Sequence, residues 1–191
     1  LINNVLDLAK IDAGKMDLIL ECFDIRDVVR EAAQTVQPMM TKNNNRLQVS
    51  CPESIGTMTS DRIKVYQCVL NILSNAAKYT DSGQVECRVT RVTEDQNNWT
   101  VIIIEDTGIG IPENKMKNLF EEFSQMDSSI RHQTGTGLGL ALTRQMCQLL
   151  GGNVVAHSQT GLGSTFILRF PECMIENVNN TEKSEHMPIH A

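Results

Sequence analysis

The sequence predicts an α+β fold, a two-layer sandwich in which helices cover one face of a mixed β-sheet. Three observations carry that expectation. Stretches with helical spacing and stretches that read as strands follow one another irregularly, without the βαβα rhythm of a parallel sheet. Two strand-like runs, 84–93 and 99–105, are joined across the polar link E-D-Q-N-N, as antiparallel neighbours are. Two more, 153–158 and 163–170, finish the ordered part. At 191 residues and 41% apolar, the chain is long enough to bury the core of one domain with a small appendage.

The elements follow in order. Residues 1–14, L-I-N-N-V-L-D-L-A-K-I-D-A-G, place apolar side chains at 1, 2, 5, 6, 8 and 9 before Gly14 stops the pattern. A stripe this apolar needs a partner, so it is expected to be the end of a longer helix from a hairpin or a dimer. A short strand is expected over 17–23. Asp24 then caps a helix through I-R-D-V-V-R-E-A-A-Q-T-V, apolar at 25, 28, 29, 32, 33 and 36. Residues 46–51 alternate as a strand, and 52–59 read as a turn followed by an extended piece. Residues 61–79 form a long helix, apolar on most of its circumference. After the two paired strands, Pro112 opens a helix through Phe123, and 124–136 are polar and glycine-bearing, as a mobile loop is. A helix over 137–150 is closed by Gly151-Gly152. From Pro171 onward, Glu, Asn, Lys and Ser dominate, which reads as a solvated tail.

Composition removes several functions. A net charge of −6 with 4% aromatic residues argues against nonspecific nucleic-acid binding. The six cysteines, at 22, 51, 68, 87, 147 and 173, contain no C-x-x-C pair, so they read as reduced thiols rather than a zinc site or disulfide scaffold. No apolar run approaches membrane-spanning length and no signal peptide opens the sequence.

The chemistry concentrates in four places. "TGTGLGL" at 134–140 sets glycines at every second position before an apolar helical run. It is no P-loop, lacking G-K-[ST], and no Rossmann turn, lacking G-x-G-x-x-G after a strand. Glycines at a helix N-terminus do leave free N–H groups and a positive dipole end for phosphate, although a surface loop fits them too. "VIIIEDTGIGIPE" delivers Glu105 and Asp106 to a strand end, with Gly108 and Gly110 keeping the backbone open; a carboxylate there suits an exocyclic amine, and a plain D-T-G turn is the alternative. "NILSNAAKYT" puts Asn71, Asn75 and Lys78 on one helix face. On so apolar a helix they need partners, because an unsatisfied buried polar group costs about 1–3 kcal/mol. Magnesium and phosphate oxygens fit, as does a structural amide ladder. "GLGSTF" at 161–166 leads into a strand, with Thr165 facing whatever the sheet binds.

Read together, the four segments strongly resemble the catalytic ATP-binding domain of sensor histidine kinases, in the GHKL superfamily with the gyrase, Hsp90 and MutL ATPases. N-I-L-S-N-A-A-K-Y-T is similar to the N box, D-T-G-I-G to the G1 box, L-F-E-E-F to the F box, G-T-G-L-G-L to the G2 box and G-L-G-S-T-F to the last glycine element. The similarity covers roughly residues 1–171. It implies the Bergerat ATP-binding fold over 16–171, the end of a dimerisation and phosphoacceptor helix over 1–15, and a tail or linker over 172–191 that leads to a receiver domain if the parent is a hybrid kinase.

By the same resemblance, Asp106 takes the adenine amino group, Thr165 supports the ring through water and Tyr79 packs against it, with Gly108, Gly110 and Ile111 lining the pocket. Asn75 and Asn71 are the implied Mg2+ ligands and Lys78 a phosphate contact; the three are the implied catalytic residues. Gly135, Thr136, Gly137, Leu138 and Gly139 present backbone N–H groups to the phosphates. Residues 124–136 form the ATP lid, with Arg131 on the γ-phosphate. Asn71 stands where the superfamily's ATPases carry a glutamate that activates water; an amide cannot act as a base, which favours transfer to a histidine over hydrolysis. The implied partners are ATP, a phosphoacceptor histidine helix of the same or a partner chain, and a response regulator, in a cytoplasmic setting. None of His132, His157, His186 and His190 has the phosphoacceptor's helical context. The full-length protein is therefore expected to be a homodimer with its acceptor upstream of Leu1, and this chain a monomer or weak dimer. A GHKL-type ATPase and a nucleotide-binding pseudokinase or scaffold are the competing classes.

Overall fold

The computed structural model describes residues 2–123 and 137–174. Helix α1 (Ile2–Asp12) ends in a Lys15 N–H to Lys10 O bond of 2.8 Å, as Gly14 promised. Strand β1 (Glu21–Asp24) pairs antiparallel with β3 (Thr57–Ser60), and helix α2 (Ile25–Lys42) lies between them in sequence. Strand β2 (Arg46–Ser50) follows α2, and a short 3-10 turn, Glu53–Ile55, leads to β3. Helix α3 (Arg62–Tyr79) then crosses the sheet to strands β4 (Gln84–Glu94) and β5 (Asn97–Asp106). One turn of helix, α4 (Glu113–Met116), comes next, then α5 (Gly139–Leu149), β6 (Asn153–Gln159) and β7 (Gly163–Pro171).

The main sheet has the order β2-β4-β5-β7-β6, parallel only between β2 and β4. It is the mixed sheet that the sequence leads one to expect. Alternation decides which face is covered. Val85, Cys87, Val89, Ile102, Ile104, Phe166, Leu168 and Phe170 point inward and are buried. Against them lie Val65, Val69, Ile72 and Leu73 of α3, Val28 and Val29 of α2, and Met146 of α5. Burial on this scale is the main source of stability, at about 25 cal/mol per Å² of apolar surface. Among the described residues the opposite face, with Arg88, Ile103, Glu105 and Thr165, carries no helix.

Caps and breaks are legible locally. The Asp24 carboxylate accepts from Arg26 N–H at 2.9 Å, starting α2, and Asp61 accepts from Lys64 N–H at 3.0 Å, starting α3. Asp61 also accepts Ile19 N–H at 3.1 Å, tying the chain before β1 to the α3 cap. Hydrogen bonding from the Arg26 side chain holds the Asp24 carboxyl below the usual carboxylate range.

Three elements differ from the sequence expectation. The strand expected over 17–23 is formed only at Glu21–Asp24, because only those residues find a partner in β3. Helix α2 runs on to Lys42 through Pro38, drawn by fully buried Met40. The helix expected from Pro112 through Phe123 is only one turn long. Beyond it, Asn118, Leu119 and Glu121 bond three residues back rather than four; Leu119 is buried, Met116 and Phe120 are only half-buried against the core, and Lys117, Asn118 and the residues from Glu121 to Phe123 are exposed. Helix α1 packs on α5, with Leu8 buried and Gln145 Nε2 donating to Asp12 Oδ1 at 3.1 Å, while Ile2, Val5 and Leu6 stay exposed. All six cysteines are free thiols.

Candidate functional site

The inward row of β5 ends on a carboxylate. Asp106 continues the parity of Ile102 and Ile104 and is 6% exposed, whereas Glu105 points to the open face and meets Arg88 at 3.2 Å. Asp106 Oδ1 accepts Gly108 N–H at 2.8 Å. Burial raises its pKa; the Gly108 and Ser164 backbone and the Thr80 hydroxyl oppose that rise without cancelling it. Thr80 is itself buried, and Thr80 Oγ1 lies beside Gly108. A buried carboxylate with a hydroxyl next to it is a place for a hydrogen-bond donor from a ligand.

The turn after Asp106 is pinned to the neighbouring elements. Ile109 N–H donates to Tyr79 O at 3.1 Å, and Gly161 N–H donates to Ile109 O at 2.8 Å. Gly110, at φ +67°, sits so close to Gln159 that a Cβ there would fall 2.0 Å from Gln159 O, which only glycine permits. Ile111 is buried, and its N–H donates to Ser158 Oγ at 2.7 Å. Ser158 Oγ in turn donates to Gly163 O at 2.8 Å and lies 3.1 Å from Ser164 Oγ.

Sheet register corrects one expectation. Thr165 is paired with Glu105 and with His157, on the open face. The residue opposite Asp106 is Ser164, 8% exposed and on its side of the sheet. Thr165 is therefore not brought beside Asp106, and Ser164 is.

Helix α3 carries Asn71, Ser74, Asn75, Lys78 and Tyr79 along its half-buried side. Asn71 Nδ2 donates to Thr143 Oγ1 on α5 at 2.8 Å. A Cβ on Gly139 would lie 2.6 Å from Asn71 Oδ1, so the first turn of α5 rests against that amide. Gly137 has φ +71°, and Leu138, 1% exposed, anchors the start of α5 in the core. The Lys78 ammonium sits 4.8 Å above the Tyr79 ring. Tyr79 thus flanks Lys78, with its carbonyl committed to Ile109. Asn71, Asn75, Lys78, Tyr79, Asp106, Gly108, Gly110, Ile111, Gly137, Leu138 and Gly139 all fall on the helix-covered side of the sheet or on the turns at its edge. Arg131, Gly135, Thr136 and the lid expected over 124–136 lie outside the described residues.

Comparison with known proteins matches residues 60–173 to the family of histidine kinase-, DNA gyrase B- and HSP90-like ATPases, more than half of the chain. The chain belongs to that family. It is 37% identical over 193 residues to the circadian input-output histidine kinase CikA of Synechococcus elongatus, covering 98% of this chain and 25% of that protein. It is 34% identical over 169 residues to the signal transduction histidine-protein kinase BarA of Escherichia coli, covering 87% of this chain and 18% of that one. The chain thus spans a quarter or less of these relatives. Among solved structures, full-length ShkA in complex with AMPPNP superposes with a TM-score of 0.79 at 26% identity, over 91% of this chain and 35% of that one. The Acinetobacter baumannii histidine kinase AdeS shares the fold, with a TM-score of 0.74 at 21% identity over 90% of this chain and 77% of that one. The fold and the motifs are those of a histidine kinase ATP-binding catalytic domain.

The family's ATP-binding site has a chemically suitable counterpart here. Asp106 and Thr80 offer acceptors to a base amine, and the Asn71 amide oxygen is a hard donor fit for Mg2+. Among the described residues no three His, Cys, Asp or Glu side chains gather to hold a metal. Sequence reasoning missed Ser164, Ser158, Thr80 and Thr143. The first was findable: Phe166, Leu168 and Phe170 are inward, so period-two counting sends 164 inward and 165 outward. The Asn71–Thr143 bond joins residues 72 apart in sequence and left no local signal.

Proposed function

We propose that this chain binds Mg-ATP and transfers the γ-phosphoryl group to a histidine on a helix of the same or a partner chain. The observation that carries it is Asn71. In the ATPase relatives, position 71 would hold a base for water; here it is an amide whose NH2 group is already donated to Thr143. An amide is too weak a base to take a proton from water in either orientation. Catalysis then rests on positioning and charge neutralisation. Asp106 and Thr80 orient the base, with Ser164 alongside and Tyr79 and Ile111 bounding the pocket. Lys78 meets phosphate oxygens, the N–H groups of Gly137, Leu138 and Gly139 point to phosphate at the α5 N-terminus, and Asn71 and Asn75 hold the cation. When bound, Mg2+ neutralises phosphate charge. In the transfer, the bond from the γ-phosphorus to the β–γ bridging oxygen breaks as a bond to an imidazole nitrogen forms; ADP leaves and the imidazole proton passes to solvent.

The reading extends to organisation. Residues 1–15 are assigned to the end of the phosphoacceptor and dimerisation helix, 16–171 to the catalytic domain and 172–191 to a linker. The full-length protein is assigned as a cytoplasmic-facing homodimer that passes phosphate to a response regulator. Among the described residues no helix is long and apolar enough to cross a membrane. The test supplies this chain with ATP, Mg2+ and a longer version of the same protein that carries the upstream helix. Alkali-stable, acid-labile phosphate on that helix, with little free phosphate, is the expected result. Steady release of free phosphate with no phosphohistidine would make the chain an ATPase instead.

A further inference from the structure

We propose that Thr143 is a positioning residue that fixes which face of the Asn71 amide looks into the site. The inference rests on the reading of Asn71 as a Mg2+ ligand. Thr143 lies one turn into α5 and is 2% exposed, in the packed seam between α3 and α5. Its hydroxyl donates to Gly139 O, four residues back, at 3.0 Å. A hydroxyl has one proton, so towards Asn71 it can only accept. The group of Asn71 that faces it at 2.8 Å must be the NH2. The amide is planar, so Oδ1 is turned to the other side, against the start of α5 where a Gly139 Cβ would lie 2.6 Å away. A single hydroxyl therefore orders three things: the carbonyl of Gly139, the rotamer of Asn71 and the side on which its oxygen is offered.

Two buried thiols lie in the same seam as that hydroxyl. Cys68 Sγ lies 4.0 Å from Thr143 O, Cys68 and Cys147 face one another at 4.0 Å, and both thiols are fully buried. Without Oγ1 the bond that fixes the amide is lost, and either its nitrogen or its oxygen can turn to the site. A nitrogen there cannot ligate a cation. Residues that orient a metal ligand without touching the metal typically matter by about 10–100-fold in metal affinity.

Thr143→Val keeps the shape and removes the hydroxyl, and Thr143→Ser keeps the hydroxyl. Two readouts are taken on the whole chain. Without nucleotide, the side-chain NH2 resonances of Asn71 are expected to be shifted and slow to exchange in the wild type and Thr143→Ser, and to collapse to solvent-like values in Thr143→Val. With ATP present, Thr143→Val is expected to need about tenfold more Mg2+ for half-saturation, while ATP affinity in a chelator is unchanged and Thr143→Ser behaves as wild type. Thr143→Ala, which leaves a small cavity instead of a second methyl, must show the same Mg2+ shift if Thr143→Val folds poorly. Unchanged Asn71 resonances, or an unchanged Mg2+ requirement in a variant that still binds ATP, overturns the positioning role alone. A folded wild-type chain that binds no Mg-ATP overturns the nucleotide reading, and the positioning role with it.

Discussion

Around Asp106 the contacts run to backbone and across strands; around Asn71 they run between side chains on two helices. Asp106 Oδ1 takes a backbone N–H, its strand partners are Val85 and Ser164, and the turn beyond it is bonded to Tyr79 and Gly161. Asn71 is held by a side-chain bond to Thr143, and Gly139 leans on its amide rather than on backbone. A carboxylate fixed by a sheet cannot move unless the sheet does. An amide fixed by a threonine can move when α5 slides or when the hydroxyl is lost. The first arrangement suits recognition of a constant group, and the second suits a group whose position must change with the state of the nucleotide.

Substitution of the two glycines that touch these ends is the sharpest way to break the comparison. Gly110→Ala pushes a Cβ to 2.0 Å from Gln159 O at φ +67°. The neighbour is backbone of β6 and cannot swing away. Overpacking and a left-handed non-glycine residue together are expected to cost about 2–5 kcal/mol. Denaturant unfolding of the whole chain measures it. A cost under about 1 kcal/mol would mean that the Asp106 end is not rigid after all.

A smaller effect is expected at Asp106 itself, and on binding rather than folding. Asp106→Asn keeps the size but exchanges an ionic acceptor for a neutral amide. Loss of one hydrogen bond to a charged group corresponds to about 1.5–3 kcal/mol, or a roughly 10- to 150-fold weaker ATP affinity by calorimetry. The pH profile adds the sign. Burial raises the Asp106 pKa, so the folded chain takes up this proton more readily than the unfolded chain does. A base amine needs the ionised form. ATP affinity is therefore expected to fall as pH drops through the raised pKa, at a pH above that of an ordinary aspartate, and Asp106→Asn removes that limb. An affinity flat over the acid range in the wild type would mean that the carboxylate does not face the base.

Legibility follows the same division. The Asp106 end was readable because an apolar strand, V-I-I-I, must end somewhere, and E-D-T-G-I-G marks the place. The sheet, the caps at Asp24 and Asp61 and the long amphipathic helix α3 were readable for the same reason: each is a local pattern. Thr165 was misplaced by one residue although parity was available, which is a failure of counting rather than of physics. The short helix after Pro112 was not readable, since whether Met116, Leu119 and Phe120 bury enough to carry a longer helix depends on packing that sequence spacing does not contain. Thr143 was invisible for a deeper reason. Its partner is set by how α3 and α5 dock, and only a three-dimensional arrangement brings the hydroxyl and the amide together.

The smallest expected change in stability tests the other half of the comparison. Gly139→Ala places a Cβ 2.6 Å from Asn71 Oδ1, closer than any real contact, yet the atom it meets is the end of a side chain. The amide can rotate away. Alanine is also favoured over glycine in a helix by roughly 0.5–1 kcal/mol, which offsets much of the crowding. Unfolding free energy is therefore expected to stay within about 1 kcal/mol of wild type, in contrast to Gly110→Ala. The displaced amide shows itself elsewhere: the Mg2+ needed to half-saturate the ATP-loaded chain is expected to rise, while ATP affinity in a chelator holds. If Gly139→Ala destabilises the fold as severely as Gly110→Ala, the Asn71 amide has no room to turn, both ends are equally rigid, and the proposed division between a fixed and an adjustable end is wrong.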